Sequence, residues 1–280
     1  MTGSAGGFTV PEGFYTRIVE AMKSFGGIRG AGLTVVRTDS GNDIPVPQSD
    51  DTANAGALIA ENTEATEQDI AFTQALFKAY TFTSKIVRVP NQLLQDSGFD
   101  MDRFVTRTLA RRIARAEATY FVTGTGTNEP EGILTNVATG HTAAATTDIT
   151  YGELVELQYL VDPRYRAVGE WADLGRRREG PRRETDADGK PLYPELANGV
   201  LLGRPVTVDV GLPAVAATNT PIVFGDLSGF AIRDVASLVV TRLSERYAEY
   251  NQTGFILCYR TDSWKIASDS PYKALAMAAV

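Results

Sequence analysis

Residues 100–134 read DMDRFVTRTLARRIARAEATYFVTGTGTNEPEGIL, and the reading of this stretch decides the fold. Met101, Val105, Leu109, Ile113, Ala116 and Tyr120 recur every three or four residues, which puts them on one face of a long helix over 100–121. Asp100 is placed to cap its start, and Asp102 sits in the first turn, where the helix dipole favours a carboxylate. Arg103, Arg107, Arg111 and Arg115 form an i,i+4 stripe on the far side. Like charges at that spacing oppose an isolated helix by roughly 0.2–0.5 kcal/mol per pair, so an acidic partner or open solvent faces them. The helix ends in a stretch dense in turn residues, among them Gly124, Gly126, Pro130 and Gly132.

Outward from the helix, Leu33–Pro47 reads as a strand and 70–90 as one or two more, rich in Phe, Thr, Val and Ile. Between them, residues 48–69 hold too few large apolar residues to build a core. Such a long two-stranded excursion is marginal alone and gains sense lying on a neighbour. It carries Glu61, Glu64, Glu67 and Asp69. This acidic loop and the arginine stripe are either complementary faces on adjacent subunits or two solvated surfaces. Further on, 152–161 has a short helical pattern, and strand patterns follow at 167–171, 206–210, 221–226, 230–234, 238–243, 250–260 and 270–275. The succession is α+β, in two lobes. Residues 172–185, ADLGRRREGPRRET, hold five arginines, with Gly175, Gly180 and Pro181 placed to break a helix. This stretch reads as a basic loop or as a local sequence anomaly.

Composition narrows the function classes. The formal charge of −7 argues against a dedicated nucleic-acid binder. No apolar run approaches the ~20 residues of a membrane span. Cys258 is the only cysteine, which excludes an intrachain disulfide, and its apolar surroundings read as those of a small buried hydrophobe. Trp171 and Trp264 read as core residues. His141 is the only histidine and lies among small residues that read as a loop, a poor setting for a triad. No Cys/His spacing suits a transition metal, and Gly124-Thr125-Gly126 lacks the Lys-Ser/Thr of a phosphate loop. No catalytic residue, metal ligand or cofactor site is expected.

The long helix running into Gly124–Leu134 resembles the major capsid proteins of tailed bacteriophages, which share the Hong Kong ninety-seven fold. Three further stretches match that family in order: Gly6–Pro11, Ala60–Phe72, and Asp186–Leu192 followed by Leu202–Val206. The resemblance implies an N-terminal arm and short helix over 1–32, and an extended β-hairpin loop with flanking strands over 33–90. It implies a peripheral domain over 91–145 plus 244–280, with the spine helix at 100–121, and an axial domain over 146–243. Members assemble as pentamers and hexamers into an icosahedral shell around double-stranded DNA, without reading its sequence. The resemblance therefore implies self-association and contact with a portal, a scaffold or protease, and a decoration protein. It places the chain in the virion, assembled in the host bacterial cytoplasm, with no membrane partner. Many members begin with a longer scaffolding segment; almost nothing precedes Gly6-Gly7, so a mature form or a separate scaffold is implied. Some members weld their shells through a Lys–Asn isopeptide bond assisted by a Glu. Those positions align with Asn62, Gln252 and Tyr259, while Lys78 and Lys85 fall in strand patterns, so a non-covalent shell is expected. The alternative is an encapsulin-type nanocompartment shell with the same fold.

Overall fold

The computed structural model describes residues 7–9, 27–49, 54–70, 72–96, 101–173, 196, 198–235, 239–266 and 269–279. Residues 1–6 and 10–26 of the expected arm and short helix, the arginine-rich stretch beyond Asp173, the stretch Asp186–Leu192 and Asp100 lie outside these residues. So do the side chains of Asp102 and Arg103. In chain order the elements are β1 (Gly7–Thr9), α1 (Gly27–Gly30), β2 (Thr34–Thr38), β3 (Ile44–Ser49), β4 (Phe72–Phe77), β5 (Tyr80–Thr83) and β6 (Val87–Pro90). Next come α2 (Asn91–Asp96), α3 (Met101–Thr123), β7 (Ala138–Thr142), α4 (Tyr151–Leu160), α5 (Pro163–Arg166), β8 (Glu170–Asp173) and β9 (Val200–Leu201). The chain closes with β10 (Arg204–Val208), β11 (Ile222–Gly225), β12 (Phe230–Val235), β13 (Val239–Leu243), β14 (Gln252–Lys265) and β15 (Tyr272–Ala276).

Two large sheets organise these elements. The 14-residue β14 is the axis of the first, pairing with β13 and β12 along one edge and with β6 and β5 along the other. Helix α3 lies across this sheet. Val105, Leu109, Ala110, Ile113 and Ala114 pack there against Phe82, Val89, Phe255, Leu257 and Tyr259. The second sheet runs β7-β15-β11-β8-β10-β9. Leu154 and Leu157 of α4 pack on it beside Trp171, Phe224 and Leu275. A third cluster, including Phe121, Val122, Ile133, Val223, Phe230 and Tyr272, joins the two sheets at the end of α3.

Sheet membership divides the chain differently from the expected domains. Strands β12 and β13 hydrogen-bond to β14, so the stretch 146–243 is shared between the two sheets. The C-terminal β15, expected in the peripheral domain, sits inside the second sheet between β7 and β11. Backbone pairing partners far apart in the chain, not local pattern, decide this division.

Several residues differ from their sequence reading. The buried face of α3 is wider than the expected stripe and takes in Glu117, Ala118, Phe121 and Val122, whereas Tyr120 is 39% exposed and meets Phe82 edge-on. His141 lies in strand β7, not a loop, with its Nδ1 3.0 Å from Glu156. Trp171 is fully buried and donates its indole N–H to the Leu201 carbonyl, but Trp264 is only half-buried, as is Cys258. Lys78 and Lys85 fall between strands instead of within them.

Candidate assembly surface

The turn after α3 folds back and closes the helix end. Helical carbonyls in the last turn have no intrahelical donor, and this turn supplies donors. Gly124 N–H reaches Tyr120 O at 2.8 Å, Ile133 N–H reaches Phe121 O at 2.8 Å, and Leu134 N–H reaches Val122 O at 3.0 Å. A Cβ on Gly132 would lie 2.4 Å from Val122 O and 2.6 Å from Gly124 N, so the return path admits only glycine. Gly126 sits at φ +76°, and Pro130 is buried beneath the turn. The four turn residues picked out from the sequence thus lie together. Glu129 ties the loop by accepting from the Thr125 amide and hydroxyl, at 2.9 and 2.8 Å.

The extended hairpin leaves the first sheet through β3 and β4, paired antiparallel from Ile44↔Phe77 to Ser49↔Phe72. Between them, 54–70 has no regular structure, and every residue from Ala55 to Ile70 is exposed. The side chains of Gln68 and Asn54 hydrogen-bond across the loop. Glu61, Glu64, Glu67 and Asp69 all point into solvent. The loop also exposes Leu58 completely, Ile59 by 50%, Ile70 by 49% and Phe72 by 73%. The sequence reading missed this apolar content, which is concentrated beside the acids and costs free energy unless something covers it.

The hairpin's foot is fixed, not loose. Arg233 on β12, 1% exposed, donates to the carbonyls of Phe77, Lys78, Ser40 and Asn42 at 2.7–2.9 Å and to the Thr38 hydroxyl at 3.1 Å. The Gln48 amide donates to Lys265 O and Ile266 O at 2.8 and 2.9 Å. Asp262 accepts from the Lys78 and Ser263 amides at 2.7 and 2.8 Å. Burial pushes Asp262 up to about 6 against those bonds. Asp262 and half-buried Trp264 line an acidic cleft of about 270 Å³ at this foot, with Tyr80, Glu129 and Glu131.

On α3, Arg107 and Arg115 are exposed and Arg111 half-buried. Phe104, 63% exposed, continues the same face one turn earlier. The acidic loop residues, Arg107 and Arg115 form no ion pair among the described residues. One chain therefore displays an acidic, apolar loop and a helix face with exposed Arg107, Arg115 and Phe104, and among the described residues no ion pair joins the two. Asn62, at the loop turn, adopts φ +65°, and Tyr259 is fully buried. Among the described residues, no group of three His, Cys, Asp or Glu side chains could hold a metal ion, and no helix is long and apolar enough to cross a membrane.

The Phage capsid family matches residues 6–274. The major capsid protein of Klebsiella oxytoca phage phiKO2 is 23% identical over 255 residues, covering 84% of this chain; the chain spans 58% of that relative's length. Among solved structures, the capsid of an empty GTA particle, computed with C5 symmetry, superposes with a TM-score of 0.72 at 26% identity, covering 91% of this chain and 90% of that one. A structure of Mycobacterium phage Bobi gives 0.67 at 15% identity, covering 90% of each chain. The chain therefore has the Hong Kong ninety-seven capsid fold and belongs to the phage capsid family.

Proposed function

We propose that this chain is the major capsid protein of a tailed phage, tiling an icosahedral shell around double-stranded DNA as pentamers and hexamers. The shell is non-covalent, and the chain acts through interfaces, not catalysis. The loop 54–70 of one subunit lies on the arginine face of the next. Leu58, Ile59, Ile70 and Phe72 supply apolar contact, with Phe104 as one acceptor. Glu61, Glu64, Glu67 and Asp69 face Arg107, Arg111 and Arg115, and Arg103 extends the stripe. The observation that carries this reading is a fully exposed Leu58 beside four carboxylates on a hairpin whose foot is rigidly held. A loop shaped this way, and covered by nothing among the described residues of its own chain, fits a second copy. The capsid fold and the five-fold symmetry of the matched GTA particle support the same reading. The seven-stranded sheet with the spine helix corresponds to the peripheral domain, and the six-stranded sheet to the axial domain. An encapsulin-type shell is not favoured, because the relatives are phage capsids.

The test is charge reversal. Arg107→Glu with Arg111→Glu is expected to abolish closed particles in negative-stain microscopy while leaving the melting temperature of the subunit within a few degrees. Adding Glu61→Lys, Glu64→Lys and Glu67→Lys in the same chain should restore particles. Normal shells from the doubly reversed variant would refute the docking assignment.

A further inference from the structure

Ionisable groups that play no part in the assembly surface converge where α1 meets both sheets. The Arg29 guanidinium holds Asp234 through two N–H bonds, at 2.7 and 3.0 Å. It also reaches Glu117 Oε2 on the spine helix at 3.3 Å, and all three side chains are at most 3% exposed. From the same short helix, the Ile28 amide donates to Asp209, beyond β10, at 2.6 Å. Two residues past α1, the Gly32 amide donates to Glu170 on β8 at 2.6 Å. Residues 28–32 are thus a clasp, held by side chain to the spine helix and first sheet and by backbone to the second.

One guanidinium serving two carboxyl groups leaves an excess negative charge when both are ionised, and a dry interior penalises that heavily. A proton on one carboxyl removes the excess. The geometry selects Glu117 as its holder. Asp234 accepts both short guanidinium bonds, and its Oδ1 also accepts the Thr261 hydroxyl at 3.2 Å. Glu117 has one longer contact, and its Oε1 has no hydrogen-bond partner among the described residues. Burial, aided by Asp234 and opposed by Arg29, pushes Glu117 up to about 7. Arg29 stays charged: burial works against its charge, but Glu117 and Asp234 outweigh it. Among the described residues, the ionisable groups facing this point are Arg29 from α1, Asp234 from β12 and Tyr259 from β14, the last acting on Arg29. On the second-sheet side stands Asp209, raised by burial against its backbone hydrogen bonds.

We propose that Glu117 is a proton-operated latch between the two sheets. With its proton in place, Arg29 and Asp234 pair as a neutral unit and α1 clasps both sheets; when the proton leaves, the excess charge loosens α1 from the spine helix. A carboxyl raised above its unfolded value stabilises the fold fully below the unfolded value of 4.5, and that contribution is lost as pH rises through about 7. This device belongs to the subunit and does not depend on how subunits dock.

Hydrogen exchange followed by mass spectrometry on the full chain tests it, at pH 6 and pH 8, corrected for the intrinsic pH dependence of exchange. Peptides covering 28–35 and 114–123 should exchange about tenfold faster at pH 8, the ratio expected for a group titrating midway. Glu117→Gln, which keeps the shape and removes the titration, should show equal corrected rates. Asp234→Asn frees the guanidinium for Glu117 and should move the step below pH 6. Equal corrected rates in the unmodified chain, or an unchanged step in either variant, would overturn the proposal.

Discussion

Arg233 bears most directly on how the hairpin is aimed. Replacing it by methionine preserves much of its length but removes every donor to Thr38, Ser40, Asn42, Phe77 and Lys78. Hydrogen bonds from a charged donor contribute about 1.5–3 kcal/mol each, but those to Ser40 and Asn42 end on exposed residues where water can substitute. The bonds to Phe77 and Lys78, at 2.9 Å, have no such replacement close by. The loss is therefore about 3–5 kcal/mol, the range for a buried charge network broken at its centre. Lysine has three donors where arginine has five, so Arg233→Lys should lose about 1–3 kcal/mol. Urea unfolding measures both as a lowered midpoint at unchanged slope. Hydrogen exchange should rise in 38–49 and 72–79 while 138–173 stays protected, and particle yield should fall more steeply than stability. Both variants unfolding within about 0.5 kcal/mol of the parent chain would refute the reasoning.

Three further outcomes are expected. Leu109→Ala opens a cavity under the spine helix at a fully buried site and should cost about 2–5 kcal/mol in calorimetry or urea unfolding. Gly132→Ala drives a Cβ into the backbone at Val122 and Gly124 and should cost about 2 kcal/mol or more, seen as a lowered melting temperature with loss of protection at 124–134. Glu153 accepts from the Ala144 and Thr150 amides, both at 2.7 Å, so Glu153→Ala should cost about 1–2 kcal/mol at neutral pH. Burial works to raise Glu153, but those bonds outweigh it and hold it below the usual glutamate value. Its contribution is present above the unfolded value and is lost as pH falls through the folded one, so parent and variant should converge in acid.

Much of this fold is written in local pattern, and the exceptions share a cause. The spine helix, expected over 100–121, runs Met101–Thr123, and its glycine turn closes as the residue types demand. The order of the later strands was also legible, because alternation and turn residues act over a few positions, but the single strand expected over 33–47 is two, β2 and β3, and the one or two expected over 70–90 are three, β4, β5 and β6. What pattern hides is charge placed inside. Glu117 stands among Ala114, Ala118 and Phe121, and Arg233 and Asp234 lie inside the wholly buried strand FAIRDV. A rule that sends charged residues outward misplaces all three. An acid inside an apolar stripe, or two charges inside a buried run, was the available signal. Sheet assignment was hidden for a different reason. Strand β15 is indistinguishable by composition from a strand of the first sheet, and only its distant partners, β11 and β7, decide otherwise. Within the assembly surface, the acids and arginines were legible, while Leu58, Ile59 and Phe104 drew attention only once their exposure was seen.

The place of β15 bears on how the chain is made. Its neighbours in the sheet are β7, paired in parallel, and β11, paired antiparallel, both synthesised well before it. Until residues 272–276 leave the ribosome, β7 has no strand beside it and β11 has an open edge. The spine helix can form early, but the six-stranded sheet closes only once β15 has been made, and such distant pairing is slow. Translation that stops short of β15 therefore leaves β7 unpaired and the β11 edge open, a defect present before any assembly begins.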